Sequence, residues 1–221
     1  GGTATTYTTN AVNQYTATAN PGESFTYDAD GNLASDGTWT LEWDAENRLI
    51  EIRETYSDLP HHVRLVFEYD YMGRRVRKQV FSYDLKTTDW KTTPDLDQRF
   101  VYDGWNGVLV LDGAASNATG RKYTWGLDLS GQRGNGRRGG IHCAGGIGGL
   151  LAAKVISGTY QGSYWFLYDT NGNIAQAVQS TSGLPLVAHY EYDPYGKVIR
   201  VPTGFAATHP FRFSTKWFDN E

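Results

Sequence analysis

The sequence predicts an all-β fold built from repeated antiparallel β-hairpins, and three observations carry that expectation. Phe, Trp and Tyr make up 14% of the 221 residues, and flat rings pack well across a pleated surface. Six runs of alternating apolar residues close on an aromatic residue followed by aspartate. Glycine, at 26 residues, exceeds its usual ~7% share and supplies many of the tight turns that such a chain needs.

Along the chain, the first twenty residues are rich in Thr, Ala and Asn. They fit threonine-rich strands with a weak turn at Asn10 to Asn13, a disordered entry being the alternative. The six copies follow: Tyr27-Asp28-Ala29-Asp30-Gly31-Asn32-Leu33, Trp43-Asp44-Ala45-Glu46-Asn47-Arg48-Leu49, Tyr69-Asp70-Tyr71-Met72-Gly73-Arg74, Tyr102-Asp103-Gly104-Trp105-Asn106, Tyr168-Asp169-Thr170-Asn171-Gly172-Asn173-Ile174 and Tyr192-Asp193-Pro194-Tyr195-Gly196-Lys197-Val198. Two residues before each aromatic stands another large apolar side chain, namely Phe25, Leu41, Phe67, Phe100, Phe166 and Tyr190. Residues i and i+2 of a strand share a side, so each strand carries an apolar patch that must be covered. The aspartate sits where its carboxylate can accept backbone N–H bonds, and the later Gly or Asn tolerates the positive φ that reverses the chain. The apolar run after each turn, such as Leu49-Ile50-Glu51-Ile52 or Val76 to Phe81, reads as the returning strand of a hairpin. Ser35-Asp36-Gly37-Thr38 adds a further reversal, making Phe25 to Ile52 a meander. The short spacing of the copies leaves little room for a helix. A Gly/Arg-rich loop at about 131–146 interrupts what is otherwise one repeat segment spanning residues 1–221.

A net charge of -4 and a pI near 5.7 argue against nucleic acid as a partner, because phosphate neutralisation needs a concentrated basic surface. The basic cluster Arg74-Arg75-Val76-Arg77-Lys78 alternates over two faces if it is a strand, and reads as a solvated face. A single cysteine, Cys143, excludes an internal disulfide framework. The longest apolar stretch, Ile147 to Ile156, contains Lys154 and is too short to span a bilayer. No signal-peptide pattern opens the chain, so any export signal is expected outside it.

No catalytic, cofactor-binding or metal-ligating residue is assigned, and no cofactor is expected. Asp28/Asp30 and Asp44/Glu46 pair carboxylates, but two residues apart within turns, where they cannot converge across a glycosidic bond. Asp28, Asp30 and Asn32 match the first positions of a calcium loop, yet Gly31 falls at its fourth position and Trp39 at its twelfth. His61-His62 and His142-Cys143 lack a second ligand pair at zinc-site spacing. Gly134-Asn135-Gly136-Arg137-Arg138-Gly139 matches G-x-G-x-x-G without a strand before it or an amphipathic helix after it. Asn117-Ala118-Thr119 is a formal glycosylation sequon.

The repeated Tyr-Asp-x-x-Gly-Asn/Arg-Leu unit resembles the YD repeat of RHS-repeat proteins, which include bacterial polymorphic toxins, insecticidal toxin-complex components and animal teneurins. Tyr123-Thr124-Trp125-Gly126-Leu127-Asp128-Leu129-Ser130-Gly131 and Ala144-Gly145-Gly146-Ile147-Gly148-Gly149-Leu150-Leu151 resemble the approach to the RHS-associated core. So do His189-Tyr190-Glu191-Tyr192-Asp193-Pro194-Tyr195-Gly196-Lys197 and Pro210-Phe211-Arg212-Phe213-Ser214-Thr215-Lys216. The resemblance implies a curved or spiralling β-sheet, an open segment of a shell that encapsulates a C-terminal effector or toxin. Its implied partners are the remainder of the same polypeptide and that effector, in a secreted or cell-surface setting. Six copies are too few to enclose a volume, so the chain is expected to be a fragment upstream of the core's self-cleavage motif. Asp193-Pro194 belongs to a repeat turn, not to that motif, and Gln132 to Cys143 reads as extra sequence. The alternative reading is a module that binds glycans or cell-surface proteins through aromatic sheet faces.

Overall fold

The computed structural model describes residues 4–55, 62–132, 144–200 and 203–219. The fold is all-β, with 49% of the described residues in strands and 4% in helices. It divides into two compact units, Gly1–Gln98 and Arg99–Glu221.

In the first unit, β1 (Tyr7–Thr9), β2 (Tyr15–Ala19) and β3 (Gly22–Ser24) form a small antiparallel sheet. A second run follows, with β4 (Thr26–Tyr27), β5 (Leu33–Ser35), β6 (Trp39–Trp43), β7 (Leu49–Glu54), β8 (Val63–Tyr69) and β9 (Arg75–Asp84) each paired with its successor. The short β10 (Asp89–Trp90) folds back on β9. Strand β11 (Leu96–Asp103) spans the division. In the second unit, β12 (Asn106–Asp112), β13 (Ala118–Trp125), β14 (Leu150–Val155), β15 (Gly162–Tyr168), β16 (Ile174–Gln179) and β17 (Leu186–His189) pair in the same sequential way.

Cross-strand register explains which residues are covered. In the first unit Leu41, Ile52, Leu65 and Val80 stand opposite one another on one face, with Phe67 opposite Lys78 beside them. On the other face Thr40, Arg53, Arg64 and Phe81 align, next to Glu42, Glu51 and Val66. The expected solvated basic face over Arg74 to Lys78 does not form. Arg74 pairs with Asp70 at 2.6 Å, and Arg77 with Asp97 at 2.6 Å and Glu68 at 2.8 Å. Arg75 lies over the Phe67 ring, and Lys78 is 2% exposed. Alternation does divide the cluster between faces, but each face already offers carboxylates or rings, and the long stems bury against them.

In the second unit a single aromatic core forms on one sheet face from Val110, Tyr123, Ala153, Val155, Tyr164, Phe166, Ala177 and Ala188. The C-terminal segment covers it. There α1 (Phe205–Thr208) stacks Phe205 on Tyr164 at 3.8 Å, and Phe211 meets Tyr123 and Trp125 edge to face. A 3-10 turn, Phe213–Thr215, follows. Both lie after the strands, outside the hairpins where the short spacing left no room for a helix. The second half of the sixth copy is weaker than its returning-strand reading, with one isolated bridge between Tyr192 and Val198. Within the loop at about 131–146, residues 133–143 lie outside the described residues, and so do His61, His142, Cys143 and the G-x-G-x-x-G stretch.

Candidate functional site

Five of the six aspartate turns share one hydrogen-bond pattern. Taking the aspartate as position one, its N–H donates to the carbonyl of position five, and the N–H of position four returns to its own carbonyl. These bonds are 3.0 and 3.0 Å at Asp70, 3.1 and 3.1 Å at Asp169, and 2.9 and 3.0 Å at Asp193. Oδ1 accepts the amides of positions three and five, at 2.9 and 3.0 Å for both Asp44 and Asp70. The same pair of bonds holds Asp28, Asp169 and Asp193. Oδ2 is left to take a side chain from position five. It receives Asn32 at Asp28, Arg48 at Asp44, Arg74 at Asp70 and Asn173 at Asp169. Position four must turn left-handed, and Gly31, Asn47, Gly73, Gly172 and Gly196 have φ of 87, 57, 75, 76 and 87°. Only glycine, and next asparagine, adopts this readily.

These bonds lower the pKa of the Asp28, Asp44, Asp70 and Asp169 carboxyls. Asp28 is held below the usual range first by the Asn32 side chain, and Asp44 first by the Arg48 amide. At Asp70 and Asp169 partial burial pushes upward, but the side chains of Arg74 and Asn173 together with the turn amides outweigh it. A carboxylate that accepts this many bonds shapes backbone and is poorly placed to relay protons.

The copy at Tyr102-Asp103 differs. Strand β11 runs through Asp103, and Gly104-Trp105 turns the chain directly into β12, with Gly104 at φ 60°. Conversely, two turns of the shared pattern escaped the aromatic-aspartate signature. At Asp128 the pattern recurs with bonds of 2.8 Å to Gln132 O and 2.9 Å from Gly131 N, and Gly131 has φ 72°. Its aromatic, Trp125, stands three residues ahead instead of one. At Asn10 the pattern recurs with an amide side chain, Oδ1 accepting Val12 and Gln14 N–H at 3.1 and 2.9 Å. The legible signal was Asp/Asn-x-x-Gly/Asn alone, without a preceding aromatic.

The aromatic has a second task. Its polar tip donates to a backbone carbonyl at the start of the preceding hairpin's returning strand. Tyr27 Oη reaches Tyr15 O (2.9 Å), Trp43 Nε1 reaches Leu33 O (2.8 Å), and Tyr69 Oη reaches Leu49 O (2.7 Å). Trp125 Nε1 reaches Gly107 O (2.8 Å) and Tyr192 Oη reaches Ile174 O (2.9 Å), while Tyr168 Oη bonds Leu150 O. This fits the filling of the position by Tyr or Trp and never by Phe, which has no donor to give the carbonyl. A register shift accompanies it, falling immediately before Tyr27, Trp43, Tyr69, Trp125 and Tyr168. Such a bulge adds twist and re-aims a side chain, here the ring that must reach back one hairpin.

The C-terminal segment of the second unit is tied to the same turns. Thr215, 3% exposed, donates to Gly172 O and accepts from Gly148 N, both at 2.8 Å. Asn173 Oδ1 accepts Ser214 N–H at 2.7 Å. His209, absent from the sequence reading, is enclosed by Tyr123, Phe166, Phe205 and Phe211. Burial pushes its pKa down to about 3.

Among the described residues, no group of three or more His, Cys, Asp or Glu is placed to hold a metal ion. Among them too, no helix is long and apolar enough to cross a membrane, which says nothing of β-barrels.

No family model matches the chain. It is 29% identical over 188 residues to the tRNA3(Ser)-specific nuclease WapA of Bacillus spizizenii, covering 85% of this chain and 6% of the relative. The tRNA nuclease WapA of Bacillus subtilis is also 29% identical, over 187 residues, with the same coverages of 85% and 6%. The chain thus spans only a small part of the curated relatives it matches. Among solved structures, a Photorhabdus luminescens Tc holotoxin pore superposes with a TM-score of 0.52 at 15% identity, over 97% of this chain and 11% of that one. A TcdB2-TccC3-TEV crystal structure gives 0.50 at 13% identity, over 97% and 13%. At those identities the likeness is one of fold.

Proposed function

We propose that the chain is a non-enzymatic structural repeat module, part of the wall of an RHS-type β-shell that encloses a C-terminal effector within a longer polypeptide. The observation that carries this reading is the bond from the tips of Tyr27, Trp43, Tyr69, Trp125, Tyr168 and Tyr192 to the preceding hairpin. A hairpin that completes its neighbour's hydrogen bonding has a role only in a stack, which is the logic of a repeat wall. The fold likeness to the Tc holotoxin pore supports the reading, as do relatives named as tRNA nucleases of which this chain would be a short stretch of scaffold. Nuclease chemistry, if the longer polypeptide has it, is then assigned to its effector. The partners are the rest of that polypeptide and the effector, in a secreted or cell-surface protein.

Electron microscopy of the longer polypeptide tests the wall. Hairpins continuing from both flanks of this chain around an enclosed volume are expected. Independent globular domains on both flanks, with no enclosed volume, would overturn the reading. Within the chain, Tyr69→Phe and Tyr192→Phe delete only the donor, and each is expected to cost about 1 kcal/mol by chemical denaturation.

A further inference from the structure

The second unit holds its core on one sheet face and presents large apolar side chains on the other. Register sets Thr124, Ala152, Trp165, Val178 and Leu186 opposite one another across β13 to β17, with Leu167 two residues beyond Trp165 on the same side. Trp165, Leu167 and Leu186 are 48%, 48% and 54% exposed. An antiparallel sheet with one face on its core ordinarily turns polar residues outward, and neighbouring exposed apolar side chains mark a surface that binds.

Two cations flank that row. Lys122 and Lys154 are exposed and stand directly opposite each other, two residues along their strands from Thr124 and Ala152, so they share its face. Like charges set opposite in a sheet destabilise it. In the first unit such cations are answered by carboxylates: Arg53 meets Glu42 and Glu51 at 3.5 and 3.3 Å, and Arg64 meets Glu51 at 2.7 Å. Among the described residues neither lysine has an ion pair or a side-chain hydrogen bond. The pair is complementary to carboxylates that a partner brings.

We propose that this face docks an acidic amphipathic helix, its apolar stripe on Trp165, Val178 and Leu186 and its carboxylate flank against Lys122 and Lys154. Five strands at ~4.8 Å span about 19 Å, enough for a helix about 10 Å across with both flanks in contact. A second sheet would have to match the outer rows as well, which carry Ser163, Gln176 and His189, whereas a helix needs one apolar row between polar ones. An anionic membrane fits less well, because insertion by ~5–10 Å would take Ser163 and Gln176 out of water too. A second copy of the chain adds two more lysines, and Glu191 beside this face already stands 3.9 Å from His189. The chain's own α1 has four residues and is spent in the core. Neighbours in a wall of hairpins supply strands, so the helix belongs to a separate protein; that source rests on the wall reading, and the chemistry of the helix does not.

The test titrates the full chain with two synthetic helical peptides of about 18 residues. They share a leucine stripe and differ only in its flank, glutamate in one and lysine in the other. NMR shifts of the Trp165 indole N–H and of the Leu167 and Leu186 methyl groups report docking. The glutamate peptide is expected to bind with a Kd of about 100 μM or tighter, and about tenfold more tightly than the lysine peptide. Lys122→Glu combined with Lys154→Glu should invert that preference, which a misfolded variant would not do. Trp165→Ala should weaken the glutamate peptide about tenfold, with unchanged amide exchange in β14 to β16 reporting an intact sheet. The proposal is overturned if the glutamate peptide shifts none of these resonances, if both peptides bind alike, or if charge reversal leaves the preference as it was. Binding to phosphatidylserine vesicles in place of the peptide would overturn it in favour of a membrane, and an indole shift on concentrating the chain alone in favour of self-association. Failure of the wall reading alone would change none of these results.

Discussion

In Gly1–Gln98 the rings of Tyr69, Phe81 and Phe67 lie under arginines of neighbouring strands and turns, whereas in Arg99–Glu221 a folded-back segment, its own Arg212 included, covers the rings. Arg48, Arg64 and Arg75 lie 5.5, 5.3 and 5.2 Å over Tyr69, Phe81 and Phe67. Carboxylates of neighbouring residues hold guanidinium groups of this set, as with Arg64 and Glu51 at 2.7 Å. In the second unit Phe205, His209, Phe211 and Trp217 take that place, packed among Tyr123, Tyr164, Phe166 and Phe100. The repeat therefore specifies how a hairpin turns and how it binds its predecessor, while leaving open what covers its apolar patch. Guanidinium planes cover rings while keeping contact with water. A folded-back segment removes them from water and makes one densely packed core.

The comparison can be broken at several points. The largest effect is expected from Phe211→Ala, which empties a site shared with Tyr123, Trp125 and Trp217. It should cost about 4 kcal/mol, read as lost amide protection in β13 to β16. Phe67→Ala in the first unit should cost less, about 2 kcal/mol, because the Arg75 stem can settle into the space. Equal losses would show that the two coverings are equivalent.

Acid should separate the units next. His209 faces Arg121 and Arg212, and its pKa is pushed down to about 3 by burial, against about 6.5 when unfolded. Between those values the unfolded chain binds a proton that the folded chain refuses. Stability from this group is thus full above pH 6.5 and falls toward about 1.4 kcal/mol per pH unit as pH drops to about 3. Asp28, Asp44, Asp70 and Asp169 are shifted in the same direction but from a lower start, 3.8. Their contribution is therefore present above that value and lost only as pH falls below it. Between about pH 6 and 4.5, protection should decline in β13 to β16 and hold in β7 to β9, and His209→Leu should flatten the decline.

A charge pair of the first unit ranks after that. Arg77→Leu removes the 2.6 Å partner of Asp97, itself 6% exposed. About 2 kcal/mol is expected, reduced for a guanidinium one quarter exposed. Thermal unfolding at low salt measures it.

Equivalent turn glycines offer the finest contrast. Gly73 and Gly172 have φ of 75 and 76°, but a Cβ at Gly73 meets nothing within 4 Å. At Gly172 it would lie 2.5 Å from Ile147 Cγ2 and 2.8 Å from Leu129 Cδ1. Gly172→Ala should cost about 2 kcal/mol, the left-handed backbone and overpacking acting together. Gly73→Ala should cost about 1 kcal/mol from the backbone alone, the smallest effect of the series. Urea unfolding of the two variants separates the packing part from the backbone part.

Much of the hairpin was legible from the order of residues. Asp70-Tyr71-Met72-Gly73 reads as a turn because every bond that shapes it lies within five residues. The exceptions are equally local in cause. Asp128 escaped because Gly126 and Leu127 separate its turn from Trp125, while the turn read weakly at Asn10 to Asn13 is present but lacks the signature, an amide following Thr9 in place of an aromatic and a carboxylate. Asp103 carried the signature, but with Gly104 next to it a two-residue reversal suffices. The cleft lined by Thr40, Glu54 and Trp90 was not legible, since these residues stand on three strands, β6, β7 and β10, that only pairing brings together.

Sequence by itself determined the all-β class, the placement of most turns and the hairpin pairing around them, because short-range bonds and period-two alternation decide those features. It also placed a Tyr or Trp before six of the turns without revealing what its polar tip does. Tertiary structure alone decided that the tip reaches back to a carbonyl 10 to 20 residues earlier, as from Trp43 to Leu33 and from Tyr69 to Leu49. It alone decided that Arg74 to Lys78 would be drawn into carboxylates and rings, and that residues 203–219 would close the second core. Burial and long-range donors depend on which side chains meet across strands, and that meeting is a property of register, bulge and fold.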